Sequence, residues 1–257
     1  MRNSPVISLL DRFAPCTLEQ AKQVSYTHRK DIKFLIRETE FCSVLENVAD
    51  AYFVVQLREQ VIHPYLTWYF DTPANLFYRM HHNKNYPRYK VRKRKYPLSG
   101  DIFLEVKEKT NKRDTRKTRM QICDFDPLLT GEQAEFLGKN CFGEVADLHP
   151  VLHSAFQRIT LVKKDYSERC TIDRKVTFHD GNTDVQLEGL IIVEVKINRG
   201  SDHSPMRIAL KNAHIRPSRF SKYCIGRLLM PNALKYNAFK PQLTFVDHYI
   251  NSTAYAE

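Results

Sequence analysis

The chain has 257 residues, 42% hydrophobic and 27% charged, enough to bury a core in one large domain or two small ones, so disorder is not the default. Its net charge of +11 implies an anionic partner: nucleic acid, an anionic membrane or a phosphate-rich small molecule. Six scattered cysteines, with neither a CxxC pair nor zinc spacing, point away from a disulfide framework or structural metal and toward reduced thiols in the cytoplasm.

The opening MRNSPVISLLDRFAPC has too short an apolar run for a signal peptide, and no window approaches the roughly 18 apolar residues of a membrane span. Residues 1–24 are expected to form a leader with about one helical turn. Tyr26 to Ile36 (YTHRKDIKFLI) sets Arg29, Asp31 and Lys33 on one side of a strand, against Lys30, Ile32 and Phe34 on the other. Phe41, Val44, Leu45 and Val48 have helical spacing and predict a helix from about Glu40 to Ala51. Tyr65 to Asp71 (YLTWYFD) predicts a strand whose Trp68, Tyr69 and Phe70 pack, with Asp71 organising the turn before Pro73 and a short helix over Ala74 to His82.

Arg88 to Lys109 (RYKVRKRKYPLSGDIFLEVKEK) is a hairpin around Pro97-Leu98-Ser99-Gly100. Alternation puts Arg88, Lys90, Arg92 and Arg94 on one face, and Phe103, Glu105, Lys107 and Lys109 opposite Leu104 and Val106. Such a charge run is ordinarily a solvated face; it becomes a candidate site only if the pattern recurs. It does recur. Thr115 to Cys123 places Lys117, Arg119 and Gln121 together, and after a helical insertion near Thr130 to Leu137, Val151 to Lys164 carries Arg158 between Phe156 and Thr160. In Arg169 to Phe178, Asp173 shares parity with Arg169 and either faces the same space or pairs with that arginine. Leu190 to Arg199 turns Ile191, Val193, Val195 and Ile197 one way and Glu194 and Lys196 the other. Helices are expected over Arg207 to Ala213 and Ser218 to Met230, the latter with a serine N-cap, and a loose tail from Pro231.

Eight strands with few crossovers predict an α+β chain built on an antiparallel eight-stranded β-barrel, with helices packed outside and a C-terminal helix near one tunnel mouth. Periodicity alone does not say which side of the strands looks inward. Acids and bases share one face, as in Glu105 with Lys107 and Glu194 with Lys196. The other face is uniformly aliphatic. Both facts favour a cation-lined tunnel over charge in water.

The ordered segments RKDIKFLI, YFDTPANLFYRMHHN, RYKVRKRKY, FLEVKEK, KTR, SAFQRI, RCTID, IIVEVK and RFSKY cover roughly residues 25–230. In them the chain resembles the catalytic domain of the vacuolar transporter chaperone (VTC) family, polyphosphate polymerases of the triphosphate tunnel (CYTH-like) superfamily. The resemblance implies a catalytic domain over 25–230, between the leader and a tail at 231–257. It implies an ATP-dependent transfer of the γ-phosphoryl group onto inorganic polyphosphate, with Mn2+ or Mg2+ as cofactor. Position by position, it implies phosphate contacts at Lys33, Arg92, Arg94, Lys107, Arg158 and Lys222. Further substrate contacts fall at Lys117 or Arg119, Lys196, Arg219 and Ser221. Glu194 is the implied metal ligand, and Glu105 is a second candidate that could instead hold Lys107 or a neighbouring arginine. The first strand departs from the superfamily's alternating acids, with Arg29 and the shorter Asp31, which argues against metal binding there. The implied partners are ATP and polyphosphate, not a nucleic acid polymer, and any membrane partner would be encoded elsewhere. Hydrolysis of a triphosphate, or polyanion binding without catalysis, are the alternatives.

Overall fold

The structure, a computed structural model, describes residues 5–112, 114–141, 147–200, 203–231 and 233–254, with side chains described to residue 247. Residues 1–4 of the expected leader and 255–257 of the expected tail lie outside these. The eight expected strands are present: β2 (Arg29–Arg37), β4 (His63–Asp71), β5 (Arg88–Lys95), β6 (Ile102–Lys109), β7 (Thr115–Gln121), β8 (His149–Lys163), β9 (Arg169–His179) and β11 (Leu190–Asn198). Four more join them: β1 (Ala14–Thr17), β3 (Tyr52–Gln56), β10 (Asp184–Leu187) and β12 (Pro217–Ser218). Runs of two to five residues are too short for alternation to reveal.

The twelve strands form one sheet with the order β12-β2-β11-β9-β8-β4-β5-β6-β7; β3 pairs with β8, β10 with β9, and β1 with β3, the last pair parallel. The expected closed eight-stranded barrel is therefore corrected to an open sheet. The reason is at its ends. The last strand in the order, β7, is polar apart from Met120 and exposed almost throughout, and β12 is two residues long and begins with a proline that has no N–H to donate. The sheet nonetheless wraps round. Lys33 on β2, near one end of the order, acts electrostatically on Lys90 and Lys107 on β5 and β6, near the other.

Oily strand faces point outward under helices. Ile191, Val193, Val195 and Ile197 pack beneath α1 (Pro5–Leu10), α3 (Glu38–Glu46) and α6 (Pro205–Asn212). Val91, Leu104 and Val106 pack beneath α4 (Leu76–His82) and α5 (Gly131–Asn140). In this second core Lys93 is 0% exposed and donates to the carbonyls of Asp126 and Leu128, both at 2.7 Å, which ties the insertion to the sheet. The leader is more than a leader: Val6 and Leu10 of α1 belong to the first core.

The C-terminal region also differs from expectation. α7 spans Lys222–Leu229 with Ser221 as N-cap, while Ser218 is already in β12. Beyond it the expected loose tail contains α8 (Lys240–Ala254), whose Val246 is fully buried. Residues Tyr223, Cys224 and Ile225 of α7 pack on Leu35, Leu152, Val176, Phe178 and Ile192. Asp71, 0% exposed, fixes this helix from below: it accepts from the backbone N–H groups of Phe77 and Tyr78 at 2.9 Å and from the Tyr223 hydroxyl. No helix among the described residues is long and apolar enough to cross a membrane.

Gly226 lets α7 sit this low. A Cβ there would lie 2.5 Å from Phe178 and 2.6 Å from Leu152 side-chain carbons. Overpacking of this kind costs about 1–3 kcal/mol. Gly226→Ala is expected to destabilise the protein by that amount in a urea titration, despite alanine's higher helix propensity; an unchanged or raised midpoint would contradict the packing described.

Candidate functional site

The ionic faces of the strands converge on one interior built around three carboxylates that each hold two cations, with a fourth, Asp31 on β2, paired among the described residues to Arg29 alone. Glu105 on β6 is 1% exposed and receives Arg92 Nε at 2.6 Å and Lys117 Nζ at 2.5 Å. Asp173 on β9 takes the Arg158 guanidinium in a two-pronged contact, Nε at 2.6 Å and NH2 at 2.8 Å, and also the Lys222 ammonium from the first turn of α7. It does not pair with Arg169. Glu194 on β11 is held by Lys33 from the neighbouring β2 and by Lys196 two residues along its own strand. Register explains one contact in each cluster: Arg92 lies opposite Glu105, Arg158 opposite Asp173, and Glu194 opposite Lys33.

Burial alone would raise these carboxyl pKa values. The neighbouring cations win. Arg92, Arg94 and Lys117 hold Glu105 down to about 2, and Asp173 and Glu194 are likewise pulled well below the usual range. The three carboxylates thus stay ionised, and each cluster keeps one surplus positive charge.

Other cations have no carboxylate. Lys107 makes no ion pair among the described residues. Lys90 donates to Ser221 Oγ at 2.9 Å, and Arg94 Nε donates to Thr67 Oγ1 at 3.2 Å. Aromatic rings support these groups. Tyr65 and Phe156 stack with centroids 5.1 Å apart, and Arg94, Arg158 and Lys222 lie over them. Arg119 lies over Phe103 at 4.5 Å. Cation–π contact holds the charge in place without neutralising it. Burial and neighbouring cations press Lys107 and Lys222 down to a pKa of about 8. His81 Nε2 lies 3.2 Å from the Tyr89 carbonyl, and burial beside Lys90 and Arg88 lowers its pKa to about 2, so it stays neutral.

The structure thus brings together Lys33, Arg92, Arg94, Lys107, Arg158, Lys196 and Lys222 with Glu105 and Glu194. Lys117 and Arg119 both join them, as register partners of Lys107 and Glu105, so neither need be preferred. Ser221, the N-cap of α7, joins them by accepting from Lys90. Arg219 is exposed beside it and makes none of these contacts. Reading the sequence alone left out Asp173 as an anchor, Thr67 as a support and Tyr65 as a platform. The RCTID segment carried the first signal, but no sequence pattern names a carboxylate's partners across a sheet.

The resemblance implies a divalent cation. Among the described residues no three His, Cys, Asp or Glu side chains come together. Magnesium and manganese accept one or two carboxylates with substrate phosphates and water completing the shell. Glu194, whose side chain is 19% exposed at the inner surface, fits that mode as a single donor once Lys33 or Lys196 yields one of its two oxygens. Glu105 is likewise held by Arg92 and Lys117, and at 1% exposed it is almost sealed from water. Two surface cavities, of about 300 and 340 Å3, lie outside this cluster, beside the β6–β7 turn and between β12 and α8.

Comparisons with known proteins agree in part. A family model described as the VTC domain matches residues 28–230. No curated protein sequence matches significantly. Solved structures similar to the chain include a putative adenylyl cyclase from Hippeastrum, described as having a dominant triphosphatase activity, with 13% identity and a TM-score of 0.47 over 80% of this chain and 98% of that one. A putative adenylate cyclase from Bacillus halodurans gives 11% identity and a TM-score of 0.44, over 82% and 97%. A conserved hypothetical protein from Pyrococcus furiosus gives 14% and 0.41, over 73% and 91%.

The two perturbed lysines set a pH dependence. Below pH about 8 both are charged; above it the free protein loses those protons. A bound polyanion favours the charged forms, so binding takes up protons. Affinity for inorganic tripolyphosphate at fixed ionic strength is expected to fall between pH 7 and pH 9 by about tenfold per lysine per pH unit at most. Calorimetry in buffers of different ionisation enthalpy should show net proton uptake near pH 8. A flat profile would remove these two lysines from the binding surface.

Proposed function

Because the chain belongs to the VTC-domain family, we propose that it is a polyphosphate polymerase, moving the γ-phosphoryl group of ATP onto the end of an inorganic polyphosphate chain and releasing ADP. The observation that carries this reading is the surplus positive charge on one shared inner face, where every anchoring carboxylate already holds two cations. Such a surface has little use for a neutral ligand. A polyphosphate, with about one negative charge per phosphate, neutralises it along its whole length.

Arg92, Arg94 and Arg158 present planar forks to phosphate oxygens, while Lys33, Lys107 and Lys222 act as point charges around the transferring group. Lys117, Arg119 and Lys196 line the remainder of the inner face, and Ser221 with the exposed Arg219 beside it adds substrate contacts where α7 begins. The attacking terminal phosphate oxygen is already ionised at neutral pH, so no protein general base is required. What the protein supplies is alignment and charge, fixed before the reactants arrive. A magnesium or manganese ion held by Glu194 would add further neutralisation of the phosphates.

Incubation with ATP and manganese is expected to give long-chain polyphosphate and ADP in equal phosphoryl amounts. Release of orthophosphate instead would make the chain a hydrolase, and binding without turnover would make it a non-catalytic module. In Glu194→Gln, turnover should fall by about 10²–10³ while polyphosphate binding stays within about threefold. Undiminished turnover would exclude Glu194 from the chemistry.

A further inference from the structure

The ionic interior has one blind end and one open flank. At the blind end, the inner faces of β2, β9 and β11 change from charged to apolar residues. Leu35, Val176 and Ile192 are there, each at most 6% exposed, and α7 seals them with Tyr223 and Ile225. A chain lying among the cations has no way onward through that cluster.

The flank is different. β7 pairs with β6 alone, and on its outer edge β2 has a described partner only at Lys33 and Phe34, where β12 lies. The stretch Arg29–Ile32 and the whole of β7 therefore keep free outer edges among the described residues. The inner-face side chains along both edges are predominantly cationic, with one acid, Asp31 on β2, paired to Arg29 at 2.8 Å. Lys117 and Arg119 stand on β7, Arg29 and Lys33 on β2, and the first and third of these are 46% and 44% exposed. A free strand edge adds unpaired backbone N–H groups, which also bind anions. The positive lining thus continues from the interior through the unclosed seam to the surface.

We propose that this seam is a lateral entrance, through which an internal stretch of inorganic polyphosphate lies down among the interior cations without needing a free end. The inference rests on the polyphosphate reading above and goes beyond it. The polymer enters sideways, and its far end leaves through the flank that the apolar cluster does not block.

The test uses the whole protein and polyphosphate of one length in three forms: both ends free, one end joined to a folded protein too wide for any passage within the sheet, and both ends so joined. Calorimetry measures each affinity, on the wild-type chain and on Lys107→Ala. The doubly capped polymer is expected to bind within about threefold of the free one, and Lys107→Ala should weaken both by the same factor. If free and singly capped polymers bind and the doubly capped one is weaker by more than about tenfold, the lateral entrance is overturned while the polyphosphate reading stands. A doubly capped polymer that ignores Lys107→Ala sits on the outer surface and overturns it too. Failure of the free polymer to bind removes the underlying reading, and the inference with it.

Discussion

A carboxylate shared between two cations is the unit from which the interior is made. Glu105, Asp173 and Glu194 each perform this work from a different strand. A buried arginine or lysine without a counter-ion is costly, and a one-to-one pair would leave the surface neutral. Two cations per carboxylate avoids both outcomes. The acid limits the desolvation cost and fixes the side chains, and the leftover charge is available to a ligand. Aromatic platforms such as Tyr65 and Phe156 extend the same solution to cations that have no acid of their own.

The helices serve this arrangement from outside and from one end. α1, α3 and α6 cover one oily face of the sheet and α4 and α5 another, so the charged face has nowhere to go but inward. α7 does more than cover. Its N-cap Ser221 meets Lys90, its first residue Lys222 meets Asp173, and its apolar turns fill the interior beyond them. Asp71 couples this helix to α4 through the Tyr223 hydroxyl, so a residue that sequence alone assigns to a turn also sets the depth at which Lys222 stands.

An irregularity in the sheet makes the blind end compatible with the charged one. The pairing of β8 with β9 slips between Ala155 and Gln157, and Lys175 takes a left-handed backbone conformation with φ of 46°. Strict alternation would carry the inward face of β9 from Asp173 to Lys175 and Thr177. The bulge moves it to Val176 and Phe178, while Arg174 turns outward to Glu38 at 2.6 Å. One extra residue thus converts a strand that begins ionic into one that ends as apolar core.

The sequence by itself determined the strands of the hairpin and of β11, their two chemically distinct faces and the family to which the chain belongs. Period-2 alternation is a local property, and in Arg88 to Lys109 and Leu190 to Asn198 each face is chemically uniform enough to show it. It also placed Lys33, Arg92, Lys107, Arg158 and Glu194 on the faces that meet. Only the tertiary structure decided which cations each carboxylate holds, because all of those partners except Lys196 lie on other strands or on α7. It alone decided the bulge in β9, the open edge at β7 and the burial of α1 and α8. A register slip, a missing neighbour strand and a distant core all depend on long-range pairing, which leaves no period in the chain.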